Sequence, residues 1–451
     1  MENITLKDIA MYTQATYEAG MDLSQKVKLI SNDSRTQDQD WVYLALVGER
    51  LDGHDYVKEA MENGAIAVIA QRPGLKNSLL TKDTYQALKD IAIGYKNRYQ
   101  VPYIAVTGSS GKTTTKDMMY YAINESEKTL RNMGNLNSEI GLPMTLLNLD
   151  DSYECAVLEM GMYNLGEIDY LAEIVKPHIG VITNVGIAHL MNLKTRENIL
   201  KAKMEIANYM SQKDFLLING DNDLLQTVDK KSIQPRVYTF GMDSQNDIYV
   251  LEDKSENNKT FVKASILGEI VEFEIPTIGQ HNISNALSAM GVCKLLGLDL
   301  KTSAEGLKKY QPSKYRMEKS EVGGKLVIND CYNANPYSMK ASISTLDQVA
   351  AKRKVAVLAD MLELGEESDK YHFEIGELLT NYVDVIIAIG DQAANYIDGA
   401  KSAGFSPDNM YHFKNNEEAI REINSILLEG DAIIIKGSRG MKLEEVADSI
   451  C

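Results

Sequence analysis

Residues 101–115 read VPYIAVTGSSGKTTT. Pro102 marks a boundary, "YIAV" is a short apolar run, "TGSSG" is rich in glycine and hydroxyls, and the residues from Lys112 suit a helix. The succession predicts strand, turn and helix, with the strand inside a parallel sheet. The turn also carries chemistry. In a phosphate-binding loop, successive backbone N–H groups point inward and the following helix adds its positive end. The lysine then meets the β- and γ-phosphates and the next hydroxyl holds Mg²⁺. Gly108, Ser109, Ser110, Gly111, Lys112, Thr113 and Thr114 supply that set. The usual spacing G-x-x-x-x-G-K-[ST] would require glycine at Val106, whereas the first glycine here is Gly108. In its strand–turn–helix context the stretch reads as an ATP site. The competing reading is a glycine-rich turn with a solvated lysine.

Outward from this loop, apolar strands alternate with helical patterns: "ECAVLEMG", a helix through "IDYLAEIV", "IGVITNVG", and a further helix. That alternation is the pattern of crossover units on a parallel sheet. A strand-rich stretch follows ("VYTFG", "FVKASI", "IVEFEIP"), then a helix opened by "GQHNISNALSAMGV". Residues 1–98 mix short strand runs such as "VYLAL" with helices, and "KKYQPSKYRMEKS" breaks the pattern near residue 312. Beyond it, "KLVIND", "KVAVLAD", "VDVIIAIGD" and "DAIIIKGSRG" alternate with helices again. Three α/β domains are expected, over residues 1–98, 99–312 and 313–451, and a chain of 451 residues is long enough for that number.

The balance of 47 basic against 64 acidic residues gives a net charge of −17. Nucleic acid and anionic membrane are therefore not expected as partners, since both call for a basic field. Any anionic ligand must be held by a few placed cations and backbone amides. No stretch resembles a membrane span or an export signal, and the four scattered cysteines read as reduced thiols, so a cytoplasmic protein is expected. Nothing resembles a coiled coil, and a monomer is expected.

Two more strand ends point toward the loop. "CAVLEMG" delivers Glu159 and "GVITNVGIAHL" delivers His189, and ligands of open α/β sheets bind outside the carboxyl ends of strands. Both are candidates for the Mg²⁺ that Thr113 would touch; a solvated carboxylate and a loop-packed histidine are the alternatives. In "TRENILKAKMEIANYM", Lys201 has Glu197 and Glu205 at four-residue spacing and is expected on a salt-bridged, solvated face. Lys203 instead has Ile199, Leu200, Ile206 and Ala207 around it, on the apolar stripe. It either snorkels to water or is a desolvated, modified or catalytic lysine.

"TGSSGKTT", "LEMG", "TNVGIAHL", "KAKMEI", "GQHNISNA", "YRME", "NDCYNANP" and "KGSRGMKLEEV", with "NDSR" and "DGHDY" near the start, occur in an order that resembles the Mur ligases over nearly the whole chain. In that family the loop is T-G-x-x-G-K-T-T, so Val106 is no anomaly. Through "DMLELG" and "KGSRGMKLEEV" the chain most resembles the type that adds D-alanyl-D-alanine; the tripeptide-forming type would carry D-N-P-R where "NANPYS" stands.

The resemblance implies a UDP-binding first domain, a central ATPase domain and a Rossmann-like third domain. It implies an ATP-dependent amide ligase that joins D-Ala-D-Ala to a UDP-muramoyl tripeptide through an acyl phosphate. Thr113, Glu159 and His189 are implied Mg²⁺ ligands, and Lys203 a carbamylated lysine bracing a second Mg²⁺, with Lys112, Lys203, His189 and Glu159 forming the catalytic set. Asn282 and Asn285 are implied at adenine, Asp330 at ribose and Arg316 at phosphate; Tyr332, Asn333, Asn335 and Asn137 in the substrate cleft; Ser34 and Arg35 at the uridine diphosphate; and Arg439 at a carboxylate or phosphate. Ser138, in "NLNSEIG", stands where the family usually has asparagine. The rival readings are a sister ligase acting on folate or another muramyl peptide, an ATP-driven switch, and a non-catalytic nucleotide-binding scaffold.

Overall fold

Strand Tyr103–Thr107 is buried along its whole length, as an apolar run flanked on both sides by parallel neighbours must be. Those neighbours are Cys155–Glu159 and Ile179–Ile182. In the computed structural model, which describes all 451 residues, they belong to a nine-stranded sheet. The chain places Thr129–Arg131 and Cys155–Glu159 on one side of Tyr103–Thr107, then crosses to Ile179–Ile182, Phe215–Asn219, Arg236–Gly241 and Ile248–Glu256 on the other, all parallel. Antiparallel strands Lys259–Ile266 and Glu269–Ile275 finish that edge. Tyr103–Thr107 thus ends at the topological switch point, where such sheets open a crevice.

A smaller, four-stranded parallel sheet precedes it, built in sequence order from Leu29–Ser31, Trp41–Leu44, Ala67–Ala70 and Ser78–Leu80. Helix Thr84–Lys96 closes this part; Asp83 caps it by accepting from the N–H groups of Tyr85 and Gln86, and Pro102 lies just before the next strand. Its buried face (Leu88, Ile91, Tyr95) belongs to one continuous core with Leu142, Leu171 and Ile199 on one face of the central sheet. The other face of the central sheet is covered by helices Lys112–Asn124 and Gln280–Leu295.

The third sheet has six strands in the order Glu318–Val322, Lys325–Asn329, Asp431–Lys436, Arg353–Ala359, Val385–Ile389, Met410–Phe413, and only its first pair is antiparallel. Helices Pro336–Ser344, Ser368–Leu379 and Ala394–Ser402 pack on one face, Asn416–Ile426 and Glu444–Asp448 on the other, each with its own core. Three of the four thiols are buried and none is paired. No helix is long and apolar enough to cross a membrane.

One expectation fails. The pattern around Lys201 is not salt-bridged: helix Arg196–Met204 tightens into a 3₁₀ turn at Glu205–Ala207. Glu205 turns away to accept from the N–H groups of Gly166 and Asp169, at the start of helix Glu167–Val175. Unpaired amides at a helix start attract a carboxylate more strongly than an exposed lysine does.

Candidate active site

The loop after Tyr103–Thr107 is locked by the adjacent strand end. Ser109 N–H donates to the Asn184 carbonyl (3.1 Å) and Ser110 N–H to Asn184 Oδ1 (3.0 Å), while Thr183 Oγ1 donates to the Ser110 carbonyl (2.6 Å). Gly108 must be glycine, because an added Cβ would stand 1.8 Å from Thr183 Oγ1. Gly111 has φ +77°, and a Cβ there would meet Asn285 Oδ1 at 2.8 Å. Helix Lys112–Asn124 starts immediately after, without a side-chain cap. The first-turn N–H groups of Lys112, Thr113 and Thr114 have no carbonyl to bond, which makes this end an anion site.

Thr113 Oγ1 donates to Glu159 Oε2 at 2.8 Å, and Asn137 Nδ2 donates to Glu159 Oε1, also at 2.8 Å. Asn132 fixes the backbone on both sides of that carboxylate, its Oδ1 accepting from Glu159 N–H and its Nδ2 donating to the Glu159 carbonyl. Glu159 is 2% exposed, and the ammonium of Lys116 lies 3.9 Å from it. Lys116 was missed in the sequence, though it stands one helical turn after Lys112 and so faces the same way. Its Nζ donates to the Asn132 carbonyl at 2.7 Å.

Lys112 Nζ donates to the Gly108 carbonyl at 2.8 Å. Burial lowers its pKa; Glu159 opposes this and Arg316 adds to it. Lys203 is 1% exposed and its ammonium makes neither hydrogen bond nor ion pair. Burial, with Lys112 nearby, pushes its pKa well below the ordinary lysine value. Periodicity left snorkelling open; the structure keeps the side chain out of bulk water.

Asn282 and Asn285 are both buried on helix Gln280–Leu295. Asn282 Nδ2 donates to the Ile278 carbonyl (2.8 Å), and Asn285 Oδ1 accepts from Thr115 Oγ1 (3.1 Å). They are not helix caps, since Gly279 holds that place.

From the third domain, Arg316 stacks on the Tyr332 ring at 3.9 Å. Its neighbours Tyr315 and Met317 both have positive φ (63° and 52°), a local strain on either side of the arginine. Asp330 accepts from Lys436 Nζ (2.6 Å) and Ser342 Oγ (2.5 Å). Lys436 also donates to the Asn333 carbonyl (3.1 Å), and Asn335 caps helix Pro336–Ser344 through Ser338 N–H. Arg439 pairs with Glu444 at 2.9 Å. His281, with its pKa lowered to about 4 by burial, faces Asp330 and Lys436.

These groups converge on one cleft of about 770 Å³ between the central and third domains. Ser109–Thr114, Asn137, Ser138, Glu159, His189, Asn282, Asn285, Arg316, Asp330, Tyr332, Asn333, Asn335 and Arg439 all line it, and Tyr85 reaches it from the first domain. Gly108 and Lys203 are not among the lining residues. Ser34 and Arg35 lie elsewhere, in the first domain: Ser34 Oγ donates to Glu59 (2.6 Å) and Arg35 is exposed and paired with Asp33. Lys436, His281 and Asn184 were not singled out, although "IIIKGSRG", "GQHN" and "TNVG" contain them. Ser138 Oγ accepts from Gly141 N–H at 3.4 Å, so the serine serves the start of the helix beside it.

Thr113 and Glu159 are adjacent hard oxygen donors, and no three carboxylate, imidazole or thiolate side chains gather anywhere to form a protein-only metal cage. That donor set suits Mg²⁺, which is typically held by one or two protein oxygens together with substrate phosphates.

Comparison with known proteins agrees with this architecture. The Mur ligase family catalytic domain matches residues 26–105, the Mur ligase middle domain residues 106–293, and the Mur ligase glutamate ligase domain residues 315–439. The chain is 35% identical to the UDP-N-acetylmuramoyl-tripeptide–D-alanyl-D-alanine ligase of Bacillus subtilis, over 99% of this chain and 98% of that one. A crystal structure of MurF from Acinetobacter baumannii superposes with a TM-score of 0.90 at 31% identity, covering 99% and 98% of the two chains. MurF ligase from Thermotoga maritima in complex with ADP superposes at 0.84 with 27% identity, covering 93% and 96%. With matches that run through all three sheets, this chain belongs to the Mur ligase family.

Proposed function

We propose that this chain is an ATP-dependent ligase that joins D-alanyl-D-alanine to UDP-N-acetylmuramoyl tripeptide, in the cytoplasmic synthesis of peptidoglycan precursors. The observation that carries the reading is the near-complete match, 98% of a relative bearing that ligase name, to a chain whose phosphate loop faces third-domain cations across one cleft. The cleft is complete within one chain, which favours a monomer as the working unit. The absence of basic excess fits small-molecule partners rather than nucleic acid.

In the first step a carboxylate oxygen of the tripeptide bonds to the γ-phosphorus of ATP while the bond to the β-phosphate oxygen breaks, releasing ADP. In the second, the amine of D-Ala-D-Ala bonds to the acyl carbon, inorganic phosphate leaves, and the amine loses a proton. The first step brings anion to anion, so the site must supply positive charge. Lys112, the free N–H groups of the helix start and Arg316 are the groups available. Thr113, Glu159 and His189 would hold Mg²⁺, which when bound neutralises phosphate charge. Asn137 and Asn132 keep Glu159 aimed. Asn282 and Asn285 offer polar edges to adenine, and Asp330 an acceptor to ribose. Tyr332, Asn333, Asn335 and Arg439 border the path of the peptide, and Ser34 with Arg35 would hold the uridine diphosphate. The second step depends on keeping amine and acyl phosphate together away from water, which a cleft closed by two domains favours.

Lys203 completes the reading as a carbamate. The buried amine, whose pKa burial lowers, would add to CO₂ and release a proton, and the resulting anion would help to hold a second Mg²⁺. The decisive experiment is phosphate release with ATP and UDP-muramoyl tripeptide, scanning D-Ala-D-Ala against single amino acids. Release that depends on the dipeptide is expected. Equal release with a single amino acid would overturn the assignment.

A further inference from the structure

His189 is held from two domains. It opens the short helix Leu190–Leu193 with φ 55°, and its ring meets Tyr163 of the central domain edge-on at 4.9 Å. Its Nδ1 lies 2.8 Å from Oε2 of Glu363, which comes from the third domain, 174 residues away in sequence. Glu363 also has positive φ (66°), and its carbonyl accepts from Met191 N–H at 3.3 Å, so backbone and side chain both reach across. Strained backbone on both sides of one hydrogen bond indicates that the surrounding structure enforces the contact.

The loop that presents Glu363 is braced within its own domain. His372 Nε2 accepts from Met361 N–H (2.9 Å), Ser438 Oγ accepts from Leu362 N–H (2.8 Å), and the Asp360 carbonyl accepts from Ser438 N–H (3.1 Å). The loop therefore moves with the third domain and not with His189. A carboxylate accepts only, so the pairing requires the proton on Nδ1 and leaves Nε2, which has no partner in the protein, as the ring's free nitrogen.

We propose that Glu363 is a positioning residue which sets the tautomer and orientation of His189 when the third domain docks, so that the catalytic centre is completed only in the docked arrangement. The kinetic consequence rests on the ligase reading above; the structural one does not. The test uses the full chain labelled with ¹⁵N-histidine and saturated with a nonhydrolysable ATP analogue in the absence of metal. The His189 signals are identified from their loss in His189→Asn. An Nδ1–H pattern is expected for His189 in the unaltered protein. Glu363→Ala is expected to replace it by a mixture of tautomers, with Glu363→Gln, whose carbonyl still accepts, retaining it. Steady-state phosphate release should fall about 10-fold in kcat for Glu363→Ala, with KM for ATP and peptide within about twofold, as for other groups that orient metal-binding side chains. An unchanged His189 pattern in Glu363→Ala overturns the proposal, and so does an altered pattern with unaltered kcat. If the unaltered protein released no phosphate with the muramoyl substrate, the ligase reading would fall, while the histidine signals would still decide the contact.

Discussion

At the scale of single residues, the two lysines of the site differ in a way that yields opposite rescue behaviour. Lys112 is a cation among oxygen acceptors, tied to the Gly108 carbonyl and facing Glu159. Lys203 is a desolvated amine with nothing to pair with. Lys112→Ala is expected to abolish ATP-dependent phosphate release, by 10³-fold or about 4 kcal/mol in the barrier, with no recovery on adding a small acid. Lys203→Ala should lose comparable activity but regain part of it with a short carboxylic acid, which would stand in for the proposed carbamate. Full activity in Lys203→Ala would remove the carbamate from the mechanism. The spacing of apolar residues in "TRENILKAKMEI" placed Lys203 on the buried stripe, but it could not say whether the chain end reached water. That depends on how the helix sits against Ile206 and the central sheet, a tertiary fact. The His189–Glu363 contact was still less legible: the residues lie 174 positions apart in different domains, and no local pattern couples them.

At the scale of elements, the strand–loop–helix unit was readable because three signals agreed: an apolar run, glycines where φ must be positive or neighbours close, and a helix-compatible continuation. The partners that lock the loop, Thr183 and Asn184, were not read, because they follow a strand that becomes its neighbour only by crossover. Gly111→Ala tests the unit. A left-handed alanine costs about 1–2 kcal/mol, and its Cβ would also press on Asn285 Oδ1 at 2.8 Å. The variant should unfold at lower denaturant and bind ATP at least about tenfold more weakly, as isothermal titration would measure. Unaltered affinity would show that the loop's shape is not set by this glycine. The loop that carries Glu363 has its own anchor. His372 is fully buried, with Nδ1 donating to the Ser368 carbonyl and Nε2 accepting from Met361 N–H. Burial lowers its pKa, against the opposing pull of Ser368, Asp360 and Asp369. The unfolded chain therefore binds this proton more readily, and the stabilisation is full above the ordinary histidine value near 6.5 and lost as pH falls below it. Between pH 7 and 5 the denaturation midpoint of His372→Gln should fall less steeply than that of the unaltered protein, by up to about 1.4 kcal/mol per pH unit. Parallel curves would remove this histidine from the acid response.

At the scale of the whole molecule, the cores divide unevenly. The first sheet shares a continuous core with one face of the central sheet, whereas the third sheet has two cores of its own. What joins the third domain to the rest is mostly polar: Ser313 to Asp117 (2.6 Å), Lys319 to Asn258 (2.9 Å), Gln348 to Gly279 N–H (3.2 Å) and Glu363 to His189 (2.8 Å), with Ile278 and Ile187 as apolar additions. Interfaces of that character permit relative motion of domains. Arg316, Asp330 and Arg439 border the same cleft as Lys112 only because the third domain is seated on the central one. A phosphate chain bound there would add contacts from both sides and favour the seated state over an open one. Small-angle scattering should therefore show the radius of gyration falling toward about 22 Å, the value for a compact chain of this length, when a nonhydrolysable ATP analogue is added. Glu363→Ala, which removes one of these polar ties, should need more analogue to reach the same compaction. Identical scattering with and without nucleotide would mean that the third domain is seated permanently, and that nucleotide binding does no more than fill a preformed site.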